Sequence, residues 1–379
     1  MVSLGDIVRG ESAQYLQTHF ATPVQRKALR DIAQCRTETI GSTHVMCEDC
    51  GLEYRLFCSC RNRSCPLCQG EARAKWLEAR EQEILPVPYL QIVFTVPREL
   101  HVLARYAPKE FYNAVMRSAG QAVIEVGWSE LNIQLGCHSQ FHTWTERMIM
   151  HLHVHCAVPA GGFSEDGTRW VSFEPKDLPV KALSKRFRAR LCEALQTAAR
   201  RGKFDCLPPA VRVEQLLARV KRRPWKVYAQ PPFGGAEKFL QYLARYMYRV
   251  AITNDRIESY ENHQVRFRCR GSGDTLYTLD GQKFLERFLM HVPPKGFVRV
   301  RSHGFLGNRN RKQNIERARQ LIGQTAAITP SRERFKPLRL CPACANKRGT
   351  QTPHFAPAPY VETQFDLPLR APPIEPIAA

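Results

Sequence analysis

The sequence is short of acidic residues and of long apolar runs, and both shortages exclude classes of protein. Its 379 residues include 35 Asp and Glu against 56 Lys and Arg, a net charge of +21 with neutral histidines. No window approaches the run of about 18 apolar residues that a transmembrane helix needs. The N-terminus has no apolar core after a basic start, so we expect no signal peptide. A hydrophobic fraction of 44 % argues against a disordered chain. We therefore expect a cytoplasmic protein of two or three domains.

The excess of positive charge points to a polyanionic partner, usually nucleic acid, with a simply basic protein as the alternative. Residues 181–226 hold 14 Lys and Arg against three acids, and residues 295–319 hold eight against one. Aromatic residues lie within these stretches or next to them, among them Phe187, Trp225, Tyr228, Phe297 and Phe305. Arginine beside an aromatic ring suits a groove for single-stranded nucleic acid, whereas a solvated face is the alternative. The residues predicted to bind nucleic acid are Arg222, Arg223, Trp225, Lys226, Arg245, Arg249, Lys295, Arg299, Arg301 and Arg309.

Cysteine is plentiful, with 14 residues, seven of them within residues 35–68. Without an export signal these thiols should stay reduced, and clustered reduced cysteines are typical of metal sites. Two CxxC pairs predict a tetrahedral structural zinc held by Cys47, Cys50, Cys65 and Cys68. The candidates for a second zinc, with spare thiols as the alternative, are Cys35, His44, Cys58 and Cys60.

The pattern along the chain predicts four segments. Residues 1–85 form a helical and zinc-binding domain, and residues 86–300, which mix strand and helix patterns, form one α+β domain. Residues 301–356 form a basic extension with a third CxxC pair that begins at Cys341. Residues 357–379 are rich in proline and are expected to be a disordered tail.

A run of alternating histidines predicts a strand with a metal site. Side chains two residues apart share one face of a strand, so His151, His153 and His155 project together while the intervening apolar residues face the core. Imidazoles paired in this way favour a divalent ion, with partly exposed strand histidines as the alternative. Mg²⁺ or Mn²⁺ with open coordination positions would polarise a scissile phosphate. Glu146 is the candidate third ligand, with a surface carboxylate as the alternative.

Two tyrosines follow in a segment with helical spacing. Tyr242 and Tyr246 are four residues apart and share one helix face, with Arg245 and Arg249 next to them. A tyrosine hydroxyl can attack a phosphate and form a covalent intermediate, and two of them could hold two DNA ends in turn. Aromatic core packing is the alternative for an isolated pair of this spacing. The histidine strand and the basic stretches favour the nucleophiles.

A histidine pair upstream of a YxxxY helix resembles the signature of the HUH nucleases. More specifically, the chain is similar to rolling-circle transposases of the insertion-sequence ninety-one type over residues 35–345. Five stretches in the same order carry the resemblance: CRNRSCPLCQ (60–69), VFTVP (93–97), HTWTERMIMHLHVHC (142–156), PPFGGAEKFLQYLARYMYRVAITNDRI (231–257) and HVPPKGFVRVRSHGFLGNRNR (291–311). The resemblance implies a bacterial, nucleoid-associated enzyme with an antiparallel sheet, flanking helices and a small zinc-binding domain in front.

The same resemblance implies roles for individual residues. His153 and His155 would hold the catalytic ion, Mg²⁺ or Mn²⁺, and Tyr242 and Tyr246 would be the nucleophiles. The enzyme would cleave single-stranded DNA at the ends of a mobile element, leaving a 5′-phosphotyrosine and a free 3′-hydroxyl for transfer to target DNA. The cysteines that match the zinc-binding domain are Cys47, Cys50, Cys65 and Cys68, with Cys35 and Cys60 as further family cysteines.

Three residues depart from the family pattern, and other functions stay open. Ser64 stands where a histidine is common, which weakens the second zinc site, and Leu152 and Tyr248 also differ. None of these positions is in the histidine or tyrosine pair. Replication initiators and conjugative relaxases share the chemistry and are the nearest alternative. A zinc-dependent nucleic-acid-binding protein without catalysis would explain the charge and the cysteines, but not the histidine strand.

Overall fold

The structure, a computed structural model, describes residues 2–46, 51–69, 80–230, 250–269 and 275–323. Among these, residues up to 33 and from 61 onward make one compact unit, and residues 34–60 belong to a second. The second unit contains an antiparallel pair of strands, β1 (Ser42–Met46) and β2 (Glu53–Phe57). The domain boundaries expected from the sequence stay predictions.

Prolines set several helix boundaries. Pro23 begins the second helix, so the helical pattern of residues 1–34 becomes two helices. Pro108 lies in the first turn of the fourth helix and separates it from the third. No helix in the described part is long and apolar enough to cross a membrane. The α-helices of the described residues are α1 (Leu4–Thr18), α2 (Pro23–Gln34), α3 (His101–Tyr106), α4 (Pro108–Leu131), α5 (Val180–Arg200), α6 (Val213–Lys221), α7 (Gly281–Leu289) and α8 (Arg311–Ile322).

All the strand pairings in the described residues are antiparallel. The remaining strands are β3 (Tyr89–Thr95), β4 (Ile133–Gln134), β5 (Gly136–Trp144), β6 (Met150–Pro159), β7 (Gly161–Ser164), β8 (Trp170–Ser172), β9 (Val227–Gln230), β10 (Ile257–Glu261), β11 (Gln264–Cys269), β12 (Thr275–Asp280) and β13 (Val300–Gly304). Five of them form the central sheet in the order β13-β5-β6-β3-β9, and β4-β7-β8 and β10-β11-β12 form smaller sheets. The predicted α+β class with an antiparallel sheet and flanking helices is confirmed.

Strand β6 lies in the middle of the central sheet, with β5 on one side and β3 on the other. It coincides with the strand predicted from the alternating histidines. Strand β3 is formed by a run of mainly apolar residues that is almost fully buried. One face of the sheet carries Phe94, Leu152 and Val154, all 0 % exposed, and packs against α4 and α5. Phe94, for instance, contacts Phe187 of α5 with ring centroids 4.9 Å apart. This apolar face forms the main core.

The hairpin that joins β5 to β6 is held at its tip. Arg256, 3 % exposed, donates from Nη2 to the backbone carbonyl of Glu146 and from Nε to that of Arg268, the latter at 2.8 Å. His291 spans the other side of the turn, with Nδ1 3.0 Å from Thr143 Oγ1 and Nε2 3.0 Å from the Met148 carbonyl oxygen. A buried guanidinium needs several acceptors to offset its lost hydration. These contacts fix the hairpin that carries the histidines.

Candidate active site and metal centres

The second face of the central sheet is polar, and three histidines meet on it. Alternation along β6 leaves His153 and His155 half-buried on this face, opposite the buried Leu152 and Val154. The antiparallel register then places His142 of β5 directly beside His153. The structure therefore brings the two predicted histidines together and adds a third from the neighbouring strand.

The three imidazoles form a compact group of donor atoms. One ring nitrogen each from His142, His153 and His155 lies within 4.8 Å of the other two. Ring centroids are 5.4 Å apart for His142 and His153, 4.7 Å for His142 and His155, and 4.8 Å for His153 and His155. A separation of this size lets three nitrogens turn toward one ion, which neutral imidazole binds readily.

Glu146, the third ligand suggested by the sequence, is not a member of this group of donor atoms. It lies in the turn between β5 and β6, and its carboxylate Oε2 is 3.4 Å from Nη2 of Arg256. The sequence placed Glu146 by its distance from His153 along the chain, whereas strand pairing puts His142 opposite that residue. The structure thus groups His142, rather than Glu146, with the two predicted histidines.

Neighbouring groups orient two of the imidazoles. Nδ1 of His153 lies 2.9 Å from the backbone carbonyl oxygen of His151 and donates to it, which directs Nε2 away from the strand. The amide of Gln91, on β3, lies 2.5 Å from Nδ1 of His155 through Nε2, while its buried Oε1 has no hydrogen-bond partner. Trp144 stacks on His142, with centroids 5.0 Å apart and planes 24° apart.

Burial keeps several other histidines neutral. The pKa of His151 is lowered by burial and then by the positive charges of Arg98 and Lys226. Burial lowers the pKa of His291 to about 4, and burial with nearby positive charges lowers that of His138 to about 3. The sheet therefore presents uncharged imidazoles rather than imidazolium groups at these positions near pH 7.

The structure describes only some of the predicted zinc ligands. The sequence paired Cys65 and Cys68 with Cys47 and Cys50, which lie outside the described residues. Turns place Cys65 and Cys68 on one short loop, where their amides donate to the carbonyls of Asn62 and Cys65. Of the remaining candidate cysteines, Cys35 and Cys60 belong to the second unit, whereas Cys65 and Cys68 belong to the first.

Two further candidates for the second zinc, His44 and Cys58, lie in the second unit. His44 lies on β1, and the carbonyl and amide of Cys58 bond to the backbone of Arg36 and Gly41. The sequence prediction of zinc ligands used the spacing between CxxC pairs. That spacing does not show that Cys35 follows directly after the end of α2. Four thiolates suit a tetrahedral zinc without an open position.

Several predicted nucleic-acid ligands have structural roles instead. Trp225 is 5 % exposed, and its indole N–H donates to the Val220 carbonyl at 3.0 Å, so its assignment as a nucleic-acid contact is corrected. Arg299 donates to the Arg63 carbonyl at 3.1 Å. Exposed cations in the described residues that fit the prediction are Arg222, Arg223, Lys226, Lys295 and Arg309.

Of the remaining candidates, the structure describes Arg301. Its side chain is half-buried, donates to Asn113 Oδ1 and lies over the ring of Phe297 at 5.5 Å. The predicted nucleophiles Tyr242 and Tyr246 lie outside the described residues, as do Arg245, Arg249 and the pair at Cys341. Their roles stay predictions.

Sequence reasoning missed His142 although it lies within a stretch that resembles the family. Its signal was available in the hairpin pattern, because a short turn after Trp144 folds β5 back onto β6 and sets His142 opposite His153. A register shift between His142 and Trp144 makes that pairing hard to count from the sequence.

Two family descriptions match the chain. A model described as a putative transposase matches residues 136–314, and one described as a transposase zinc-binding domain matches residues 7–96. A conjugative relaxase solved in complex with DNA, TrwC, has 14 % sequence identity and a TM-score of 0.23. That match covers 34 % of this chain, and the chain spans 63 % of the relaxase chain. A TM-score of that size does not establish a shared fold.

Curated relatives give a firmer assignment. A putative transposase, y4qJ, of Sinorhizobium fredii is 37 % identical over 368 residues, which cover 90 % of this chain and 92 % of the relative. The transposase for insertion sequence element IS801 of Pseudomonas savastanoi pv. phaseolicola is 26 % identical over 298 residues, covering 76 % of this chain and 71 % of the relative. The chain belongs to the transposases of the insertion-sequence ninety-one type, with their zinc-binding domain at its N-terminus.

Proposed function

We propose that this transposase nicks and joins single-stranded DNA at the ends of a mobile element through a 5′-phosphotyrosine, by a rolling-circle route. The observation that carries the proposal is the group formed by His142, His153 and His155 on an otherwise polar sheet face. Three imidazole nitrogens from a rigid sheet would hold a divalent ion and leave positions open for phosphate oxygens. A protein that only binds DNA has no need of such a group.

The chemistry of the donors fits a catalytic metal ion. His153 already donates its Nδ1 proton to a carbonyl, so its Nε2 lone pair faces outward. The buried Oε1 of Gln91 has no partner, and with the amide turned over it would accept a proton on Nδ1 of His155. Because all three donors are nitrogen, we expect Mn²⁺ to be preferred to Mg²⁺. Such an ion supplies Lewis-acid polarisation of the scissile phosphate.

The nucleophile in this proposal is a tyrosine hydroxyl, from Tyr246 or Tyr242. Its oxygen forms a bond to phosphorus as the bond from phosphorus to the 3′-oxygen breaks. The phenol proton leaves to solvent, and the released 3′-oxygen ends as a hydroxyl. The phosphotyrosine keeps the energy of the broken bond, so a second 3′-hydroxyl can displace the tyrosine without a nucleotide cofactor.

The segment that matches a transposase zinc-binding domain would hold a structural Zn²⁺, with Cys47, Cys50, Cys65 and Cys68 as the ligands predicted from the sequence. A site closed by four thiolates has no position for substrate, so its contribution is to folding rather than to the reaction. Metal analysis of the purified chain should give at least one tightly bound zinc. Native stability in zinc-free protein would contradict this role.

A covalent-adduct assay tests the nuclease proposal. The protein is incubated with Mn²⁺ and labelled single strands from the DNA that flanks its gene, including an intact element end, and resolved on a denaturing gel. We expect a protease-sensitive band that disappears with EDTA and is lost in the double variant Tyr242→Phe, Tyr246→Phe. Of the single variants, Tyr246→Phe should lose at least as much as Tyr242→Phe. Tight DNA binding without any adduct would instead indicate a protein that binds without cleaving.

A further inference from the structure

One aromatic residue of the basic stretches stands apart from the others. Phe187, Trp225, Phe297 and Phe305 are between 0 % and 6 % exposed and pack within apolar clusters. Tyr228 is 48 % exposed. Of the five aromatic residues named with the basic stretches, only Tyr228, which lies two residues beyond the first stretch, therefore presents a ring at the surface.

Strand pairing places Tyr228 on the face that carries the histidines. In the central sheet Tyr228 of β9 is paired with Val93 of β3, and Val93 is paired with His155 of β6. Directly paired residues share a face, and adjacent strands lie about 4.8 Å apart, so Tyr228 is about 10 Å across the sheet from His155. The main chain of β9 thus carries an exposed ring in line with the metal-binding group.

The side chains beside Tyr228 are polar and include a cation. Lys226 and Gln230, two residues away on either side, are exposed and share its face, while Val227 and Ala229 pack against the main core. The ring of Tyr228 therefore projects from a strand, β9, whose opposite face packs against the main core. A tyrosine with a lysine next to it offers a surface for a base and a charge for a phosphate.

We propose that Tyr228 stacks on a nucleobase of the single strand bound at the histidine group, and that Lys226 pairs with a phosphate of the same strand. This inference rests on the proposed function, because it places the substrate strand across the polar face of the sheet. Complementary charge supports the choice of occupant, since the chain carries a net charge of +21 and the strand is a polyanion. Tyr228 positions the strand and takes no part in bond making.

Binding of a single-stranded oligonucleotide from an element end tests the proposal. 2-Aminopurine is substituted at one position at a time, and both affinity and fluorescence quenching are measured with the full-length protein. Tyr228→Leu should weaken binding about ten-fold and remove the quenching at one position, whereas Tyr228→Phe should keep both, because stacking needs the ring and not the hydroxyl. Tyr106→Leu is the matched control, since Tyr106 is 44 % exposed at the end of α3, which packs on the apolar side.

The lysine has its own measurement. Loss of one phosphate contact should reduce the slope of log affinity against log salt by about 0.7 for a single strand, so Lys226→Ala should show a smaller slope. Lys203→Ala, another exposed lysine, should leave the slope unchanged. Both variants alter solvent-exposed side chains, and their circular dichroism spectra should match that of the wild type.

The outcomes separate this proposal from the nuclease proposal. Wild-type affinity and quenching in folded Tyr228→Leu would overturn the stacking role even if the wild-type protein forms the adduct. Loss of the adduct in Tyr228→Phe would also overturn it, because the hydroxyl would then be required. Position-specific quenching by Tyr228 in a protein that forms no adduct would support the stacking role and count against the nuclease.

Discussion

On strand β6 the side chains of Leu152 and Val154 point to one face of the central sheet, and those of His153 and His155 point to the other. The first face is covered by α4 and α5 and is fully buried. The second face gathers imidazoles from two strands into one group. The comparison shows that one short run of sequence supplies both apolar side chains of the main core and two of the candidate metal ligands. We expect substitutions on the two faces to have separable effects.

The largest effect should come from a ligand on the polar face. His142→Ala should reduce adduct formation by at least about a hundred-fold, because loss of a direct ligand should exceed the ten- to hundred-fold effect of outer partners. Adduct yield against time in Mn²⁺ measures it. Glu146→Gln is the control, since the amide still accepts from Arg256, and its adduct yield should match the wild type. A normal adduct in His142→Ala with a lost adduct in Glu146→Gln would reverse the ligand assignment.

A substitution on the apolar face should change stability instead. Leu152→Ala should lower the free energy of unfolding by about 2–5 kcal/mol, because Leu152 is 0 % exposed and its truncation leaves a cavity. Urea unfolding measures this loss. The fraction that remains folded should bind metal as the wild type does, and a weaker metal affinity in that fraction would show that the two faces are coupled.

A smaller effect on metal affinity is expected from Gln91, which contacts the imidazole of His155. Gln91→Leu removes the amide that lies 2.5 Å from Nδ1 of His155 and should weaken Mn²⁺ binding about ten- to hundred-fold. Calorimetric titration with Mn²⁺ measures the affinity. Gln91→Glu keeps an acceptor for the Nδ1 proton and should recover most of the loss. Equal weakening in both variants would mean that the side chain acts by packing alone.

A further effect concerns the dependence of stability on pH. Burial lowers the pKa of His291 to about 4, below its ordinary value, so the unfolded chain binds the proton more tightly than the folded one. Stability from this residue is therefore fully present above about pH 6.5 and decreases toward pH 4, at about 1.4 kcal/mol per pH unit. Urea midpoints between pH 7 and pH 4 should fall less in His291→Gln than in the wild type. An identical pH dependence in both would contradict the buried neutral imidazole.

Features that depend on local sequence patterns were predicted correctly. Features that depend on the pairing of distant residues were not. The period of two along residues 150–158 is set by the strand itself, so β6 and its two faces were predictable. His142 depends on hairpin register, and Trp225 depends on burial against Phe187, with ring centroids 5.4 Å apart. Charge composition cannot distinguish a surface tryptophan from a core one. Cysteine spacing likewise does not show that Cys35 follows a helix end.

The three histidines proposed to bind the metal ion come from two strands, and this has a consequence for how the protein folds. A slip of one residue between β5 and β6 would send His153 to the core and expose Leu152, because side chains alternate at every step. A site in which His142 and His153 hold the same ion can form only when β5 and β6 pair in the correct register. During refolding, added Mn²⁺ should therefore stabilise the correctly paired hairpin relative to hairpins with a shifted register.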